Sequence, residues 1–150
     1  MSLFSTFDVS ASGLQAQRMR VEVLAQNIAN AETTRGPDGG PYRRRQVSFE
    51  SEAVAPSPFG RVFTSALGAL PGREMAGVRV AEVSIDNSPP ERRYLPGHPD
   101  AGPDGYVEFP AFSPVEDMVD LTAAVRSYEA NLAVISAVKE MINRTLDISR

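Results

Sequence analysis

"VEDMVDLTAAVRSYEANLAVISAVKEMINRTLDI", residues 115–148, decides the fold. It contains neither proline nor glycine. Its large apolar residues fall at Leu121, Val125, Tyr128, Leu132, Ile135, Ile142 and Leu146, with Lys139 as the one basic interruption. Spacings of three and four alternate along it. A period near 3.5 held over several heptads predicts a long helix packed in coiled-coil fashion, not a solitary surface helix. Ser113 before Pro114 supplies a start signal, because serine caps helices and proline suits the first turn. Glu116 and Asp117 then sit near the positive end of the helix dipole. As paired carboxylates they read as serving that dipole and solvent, not acid–base chemistry.

Working outward, all 12 prolines lie between Pro37 and Pro114. Of the 11 glycines, only Gly13 falls outside 36–105. Proline removes a donor and clashes with the preceding turn, so both ends are free to be helical and the middle is not. The N-terminal end carries Phe4, Phe7, Ala11, Leu14, Val21, Ala25 and Ile28 at the same alternating spacing, interrupted by Arg18. Each helix would run about 40–50 Å at 1.5 Å per residue. Two such stripes either pack antiparallel on each other within one chain or pack between subunits, and periodicity alone leaves both open.

The middle predicts short strands. "YRRRQVSFE" alternates around Tyr42, Val47 and Phe49. "GVRVAEVSI" places Val78, Val80, Val83 and Ile85 in near alternation, with a slip at Ala81–Glu82 that reads as a bulge. "GYVEF", Gly105 to Phe109, gives a third strand. The proline-rich stretches between them, including "NSPPERRYLPGHPDAGPDG", read as turns. The expectation is an α+β chain: an N-terminal helix in 1–34, a β-rich proline and glycine region in 35–112, and a C-terminal helix in 113–150. Over 53–76, "APSPFG" and "ALPGREMAG", which runs on to Gly77, read as turns.

Composition narrows the function. A net charge of −4 gives no general attraction for nucleic acid or anionic lipid. The absence of cysteine excludes a disulfide framework, a thiolate metal site and a cysteine nucleophile. No stretch approaches the roughly 18 apolar residues of a membrane span. The first basic residue is Arg18, so the start does not read as a signal peptide. His98, the only histidine, lies near Asp100 and Asp104 but lacks three ligands at helix or hairpin spacing, and reads as a turn residue between prolines. Arg43, Arg44 and Arg45 in an acidic chain read as meeting carboxylates or water. A strand would also split them across two faces. Neither a nucleophile elbow nor a phosphate-binding glycine loop is present, so the chain offers surfaces and no reaction centre, catalytic residue, metal or cofactor.

The N-terminal helix ends in "LAQNIANAETT", residues 24–34, with Asn27 and Asn30 three apart. This stretch, within "ASGLQAQRMRVEVLAQNIANAETT", resembles the N-terminal motif of the flagellar rod and hook axial proteins. "RSYEANLAVISAVKEM" resembles their paired C-terminal motif. "GGPYRRRQVSFE" and "YLPGHPDAGPDGYVEFP" narrow the resemblance to the short rod proteins of the basal body, with Phe109 and Ala111 departing from the usual pattern. A neighbouring short axial protein is the nearest alternative. A cytoplasmic coiled-coil adaptor would show the same heptads.

The resemblance implies a structural subunit of the proximal rod, crossing the periplasm and transmitting torque. Its partners would be further copies, neighbouring rod proteins and the flagellar type III export apparatus, without a cleaved signal peptide, nucleic acid or membrane insertion. The terminal helices would form an intersubunit coiled coil through Leu14, Val21, Asn27, Ile28, Asn30, Tyr128, Asn131, Leu132, Ile135 and Ile142. Asn27 and Asn30 would set register there, or alternatively just end the helix.

Overall fold

The computed structural model of the protein describes residues 3–53 and 76–148. The stretch 53–76, with the turns read in it, falls almost wholly outside them. Helix α1 spans Leu3–Ala29, strand β1 Arg45–Ala53, β2 Ala76–Ile85, β3 Glu91–Tyr94, β4 Tyr106–Phe109, and helix α2 Pro114–Ile148. Helices at both ends with strands between make the α+β class. Helix α2 begins at the proline after Ser113, and Asp117 N–H donates to the Ser113 carbonyl.

The two helices pack against each other antiparallel. Asn131 sits over Gly13, and Arg20 reaches Asp120 at 3.8 Å, so numbers fall along one helix as they rise along the other. Asp117, Ala124 and Val138 of α2 are buried at the contact. Leu121, Tyr128, Asn131, Ile135 and Ile142 complete the seam, half-buried. The period is the heptad read from the sequence, but its phase is rotated. Val125, Leu132, Lys139 and Leu146 lie on an exposed flank, and Ala124, Asn131 and Val138 take the seam. Backbones approach closest where side chains are small. A Cβ on Gly13 would come within 3.1 Å of the Asn131 amide, so glycine and alanine, not the larger residues, choose the contact line.

Helix α1 also rests on the first sheet. Ser12 Oγ donates to the Val9 carbonyl (2.7 Å) and accepts from Val78 N–H (3.1 Å), closing an edge position of β2. Strands β1 and β2 run antiparallel from Arg45↔Ile85 to Ala53↔Ala76. Ser48 faces Glu82 while Phe49 faces Val80, so Ala81 is the bulged residue, at the slip read in the sequence. Strands β3 and β4 form a second antiparallel pair, Glu91↔Phe109 to Tyr94↔Tyr106. Strand β3 lies in a segment read as turn. Its four residues are all exposed and three are charged, so no alternation marks it.

The turn of this second hairpin depends on Gly105. Its φ is +75°, and an added Cβ would meet Tyr94 Cε2 at 2.8 Å. Gly105→Ala is expected to destabilise the isolated chain by about 1–3 kcal/mol. Gly97→Ala, which meets open space, should leave the urea midpoint unchanged or slightly raised. Equal midpoints for the two variants would contradict the strain.

Candidate functional site

The asparagines do two different jobs. Asn30 ends α1. Its N–H donates to the Gln26 and Asn27 carbonyls, its Nδ2 donates to the Gln26 carbonyl (2.8 Å), and its Oδ1 accepts from Thr33 Oγ1 (3.2 Å). This is the helix-ending alternative, with an amide satisfying the last-turn carbonyl. Asn27 has no exposed surface. Its Oδ1 accepts from Arg45 N–H (3.0 Å) and Tyr42 Oη (2.9 Å), and its Nδ2 donates to the Arg45 carbonyl (2.9 Å). The amide pairs with one residue's donor and acceptor as a neighbouring strand would, fixing the start of β1 against α1. Asn27, expected at a boundary between subunits, is therefore enclosed by its own chain, because these backbone groups need a partner there.

Beside it stands an ion pair. Arg44 Nη2 donates to Asp117 Oδ1, and the Asp117 side chain is wholly buried. Asp117 was read as facing solvent at the helix start. The chain instead brings Arg44 over it, tying the first turn of α2 to the residue before β1. Alternation along the arginine run sends Arg43 the other way, to Asn87 Oδ1 (3.2 Å). Tyr42 packs edge-on against Phe112, and burial raises its phenol above the usual range despite the opposing pull of Arg45.

The "GHPDA" loop docks on the residues after α1. Asp100 accepts from Thr34 Oγ1 (2.8 Å) and pairs with Arg35 (3.4 Å). His98 Nδ1 accepts from Asp100 N–H (3.1 Å), and its ring meets Phe109 edge-on. His98 and Asp100 thus spend their polar groups on holding the loop in place. An open groove of about 1300 Å³ runs between the 36–45 loop, the end of β2 and residues 108–112. Its walls carry prolines, Val83, Ile85 and Phe112. Asp86, on its rim, is held below the usual carboxylate range by hydrogen bonds from Ser88. Among the described residues no His, Asp and Glu group suits a metal ion, and no helix is long and apolar enough to cross a membrane.

Among the described residues the helix pair has a sheet on one side only. Ser12, which meets β2, precedes the seam residue Gly13 by one position, a turn of about −100°. Leu14, Val21 and Ile28 follow Gly13, Arg20 and Asn27 by one position, a turn of about +100°. On α2, Met118, Val125, Leu132 and Lys139 follow Asp117, Ala124, Asn131 and Val138 in the same way. A two-fold axis relating antiparallel helices carries equal rotations to the same side. Both stripes therefore share one face, opposite the sheet. Leu14, Val21 and Ile28 are half-buried there, as are Tyr128, Ile135 and Ile142 at its edge, while Met118, Val125, Leu132 and Leu146 are 38–61% exposed. Of the ten residues singled out from sequence, Asn27, Asn30 and Asn131 stand apart from this face. Asn27 and Asn131 are used within the chain's own packing, and Asn30 ends α1.

Two family models match the chain's ends: "Flagella basal body rod protein" over residues 7–37, and "Flagellar basal body rod FlgEFG protein C-terminal" over residues 104–148. The flagellar basal-body rod protein FlgC of Borreliella burgdorferi is 43% identical over 152 residues, covering 99% of this chain and 98% of that protein. The FlgC proteins of Salmonella typhimurium and Bacillus subtilis are 39% and 38% identical, each covering all of both chains. The chain belongs to the FlgC family. It is a structural subunit of the flagellar basal-body rod. The FlgC relatives align through the middle as well as the helices, so the hairpin and its docked loop belong to the shared chain length.

Proposed function

We propose that the free face of the helix pair is the surface through which this FlgC-family subunit assembles, with further copies and with neighbouring rod proteins. One observation carries the reading: a largely apolar face, opposite the sheet, that the described residues leave uncovered. Large exposed apolar patches rimmed by polar residues mark interaction sites. Leu14, Val21, Ile28, Tyr128, Leu132, Ile135 and Ile142 form the contact, while Asn27, Asn30 and Asn131 shape the subunit that presents it. Repeated heterologous contacts build a helical array. In the proximal rod such an array crosses the periplasm and carries torque, and the role is mechanical, without a reaction. The subunit reaches its place through the flagellum's own type III export apparatus.

Leu132→Asp tests this. Leu132 is 47% exposed, so aspartate there leaves the isolated chain folded. On a covered face an unpaired carboxylate costs several kcal/mol, enough to weaken each contact by about 100-fold or more. Export out of the cytoplasm should persist, read as subunit in the periplasm, while the variant is lost from purified hook–basal bodies and cells stop swimming. Normal motility with wild-type incorporation would overturn the assignment of this face.

A further inference from the structure

The free face carries two charges that no other described residue answers with an ion pair. Glu129 lies between Val125 and Leu132 at spacings of four and three, hence on the same flank of α2. Lys139 follows Leu132 by seven. Both are exposed, and neither has an ion-pair partner among the described residues. Some charged helix residues do find one: Arg18 pairs with Glu22, and Glu140 turns to Arg144, while Asp8, Glu116, Arg126 and Asp147 have none among the described residues. Lys139 has isoleucine at 135 and asparagine at 143, so its own helix offers no carboxylate one turn away.

Covering this face with a purely apolar surface would strand an ammonium and a carboxylate. The two cannot neutralise each other within one chain, because ten residues of helix separate them by about 15 Å. They can do so between chains. We infer that Glu129 of one copy pairs with Lys139 of the next, in a parallel α2–α2 contact staggered by ten residues, so that these two side chains set the axial offset between copies. The inference rests on the assembly reading above and adds to it a partner, a direction and an offset. Such a contact is heterologous: each copy uses Glu129 toward one neighbour and Lys139 toward the other, leaving an open series. An antiparallel contact about residue 134 would also match the charges, but it would close on itself as a dimer.

The absence of cysteine makes the distinction measurable. In Glu129→Cys/Lys139→Cys, the 15 Å spacing exceeds the Cα separation of about 7 Å that a disulfide allows, so any disulfide must link two chains. Hook–basal bodies carrying the variant, oxidised mildly and run without reductant, should give a ladder of dimers, trimers and larger species. Dimers alone would overturn the staggered contact in favour of the closed one. Monomers alone, in rods holding the variant at the wild-type ratio, would overturn the contact while leaving the assembly reading intact. Leu132→Asp assembling normally would instead remove that reading. If the cysteine variant does not enter rods, charge reversal decides. Glu129→Lys and Lys139→Glu should each lower incorporation about tenfold or more, and the double reversal should restore it. A double variant no better than either single one overturns the pairing.

Discussion

Replacing Asn27 by alanine is expected to destabilise the isolated chain by about 3 kcal/mol or more, among the largest effects of any single substitution in it. The side chain has no exposure and makes three hydrogen bonds. Alanine leaves Tyr42 Oη, Arg45 N–H and the Arg45 carbonyl without that partner, in positions the fold partly shields from water. Each stranded group costs about 1–3 kcal/mol, and a domain of this size has only about 5–15 kcal/mol in total. Asn27→Asp separates the geometry from simple volume. A carboxylate still accepts from Tyr42 and Arg45 N–H, but it turns an oxygen toward the Arg45 carbonyl where an N–H had donated. It also buries a charge. Aspartate should therefore be no better than alanine, although nearly isosteric. Tyr42→Phe, which removes one bond and keeps the contact with Phe112, should cost only about 1 kcal/mol. Urea denaturation of the purified subunit, followed by helix signal, reads all three. An Asn27→Asp midpoint equal to wild type would mean the amide does not pair with Arg45 as described.

The same asparagine shows where sequence reading succeeds and where it stops. Proline placement and the 3.5 period locate both helices, because these constraints act along the chain. The period also gives the heptad on α2, and the slip at Ala81 marks its bulge. What it cannot give is the phase. Half of the stripe read from large side chains, Val125, Leu132 and Leu146 among them, belongs to the free face, while the seam takes in Gly13 and Ala124, residues whose lack of bulk leaves no hydrophobic signal. Strand β3 was missed because "ERRY" pairs through its backbone and exposes every side chain. The resemblance places Asn27 between subunits, and the sequence places Asp117 toward solvent at a helix start, whereas the fold encloses both within the chain. Their partners, Tyr42, Arg45 and Arg44, lie 15 to 73 residues away, and no local pattern reports a contact of that range. Asn30, expected with Asn27 at the subunit interface, takes the alternative role of ending the helix, through hydrogen bonds that are all local.

Arg44→Met is expected to be nearly as damaging, and more so than Asp117→Leu, although both break one ion pair. The asymmetry follows from burial. Asp117 is fully enclosed, whereas the Arg44 side chain is 22% exposed and borders the open groove. Removing the arginine leaves a carboxylate with nowhere to go, a change that costs about 3–5 kcal/mol for a buried pair. The positive end of α2 softens this, since Asp117 lies in its first turns. Removing the aspartate instead frees a guanidinium that can turn toward water in the groove, so a cost of about 1–2 kcal/mol is expected. The pair itself is not optimal. Asp117 Oδ2 and Arg44 Nε have no hydrogen-bond partner among the described residues, so attraction runs through one contact rather than a bidentate fork. Arg44→Met/Asp117→Leu replaces two imperfectly satisfied charges with apolar volume. It should recover most of the loss, because an apolar pair of similar size often matches a buried ion pair in stability. The double-mutant cycle measured by urea denaturation then yields a coupling of about 2 kcal/mol or more. Additive losses would mean that Arg44 and Asp117 stabilise the start of α2 separately, and that the first turn of the helix is held by Pro114 and the Tyr42–Phe112 contact instead.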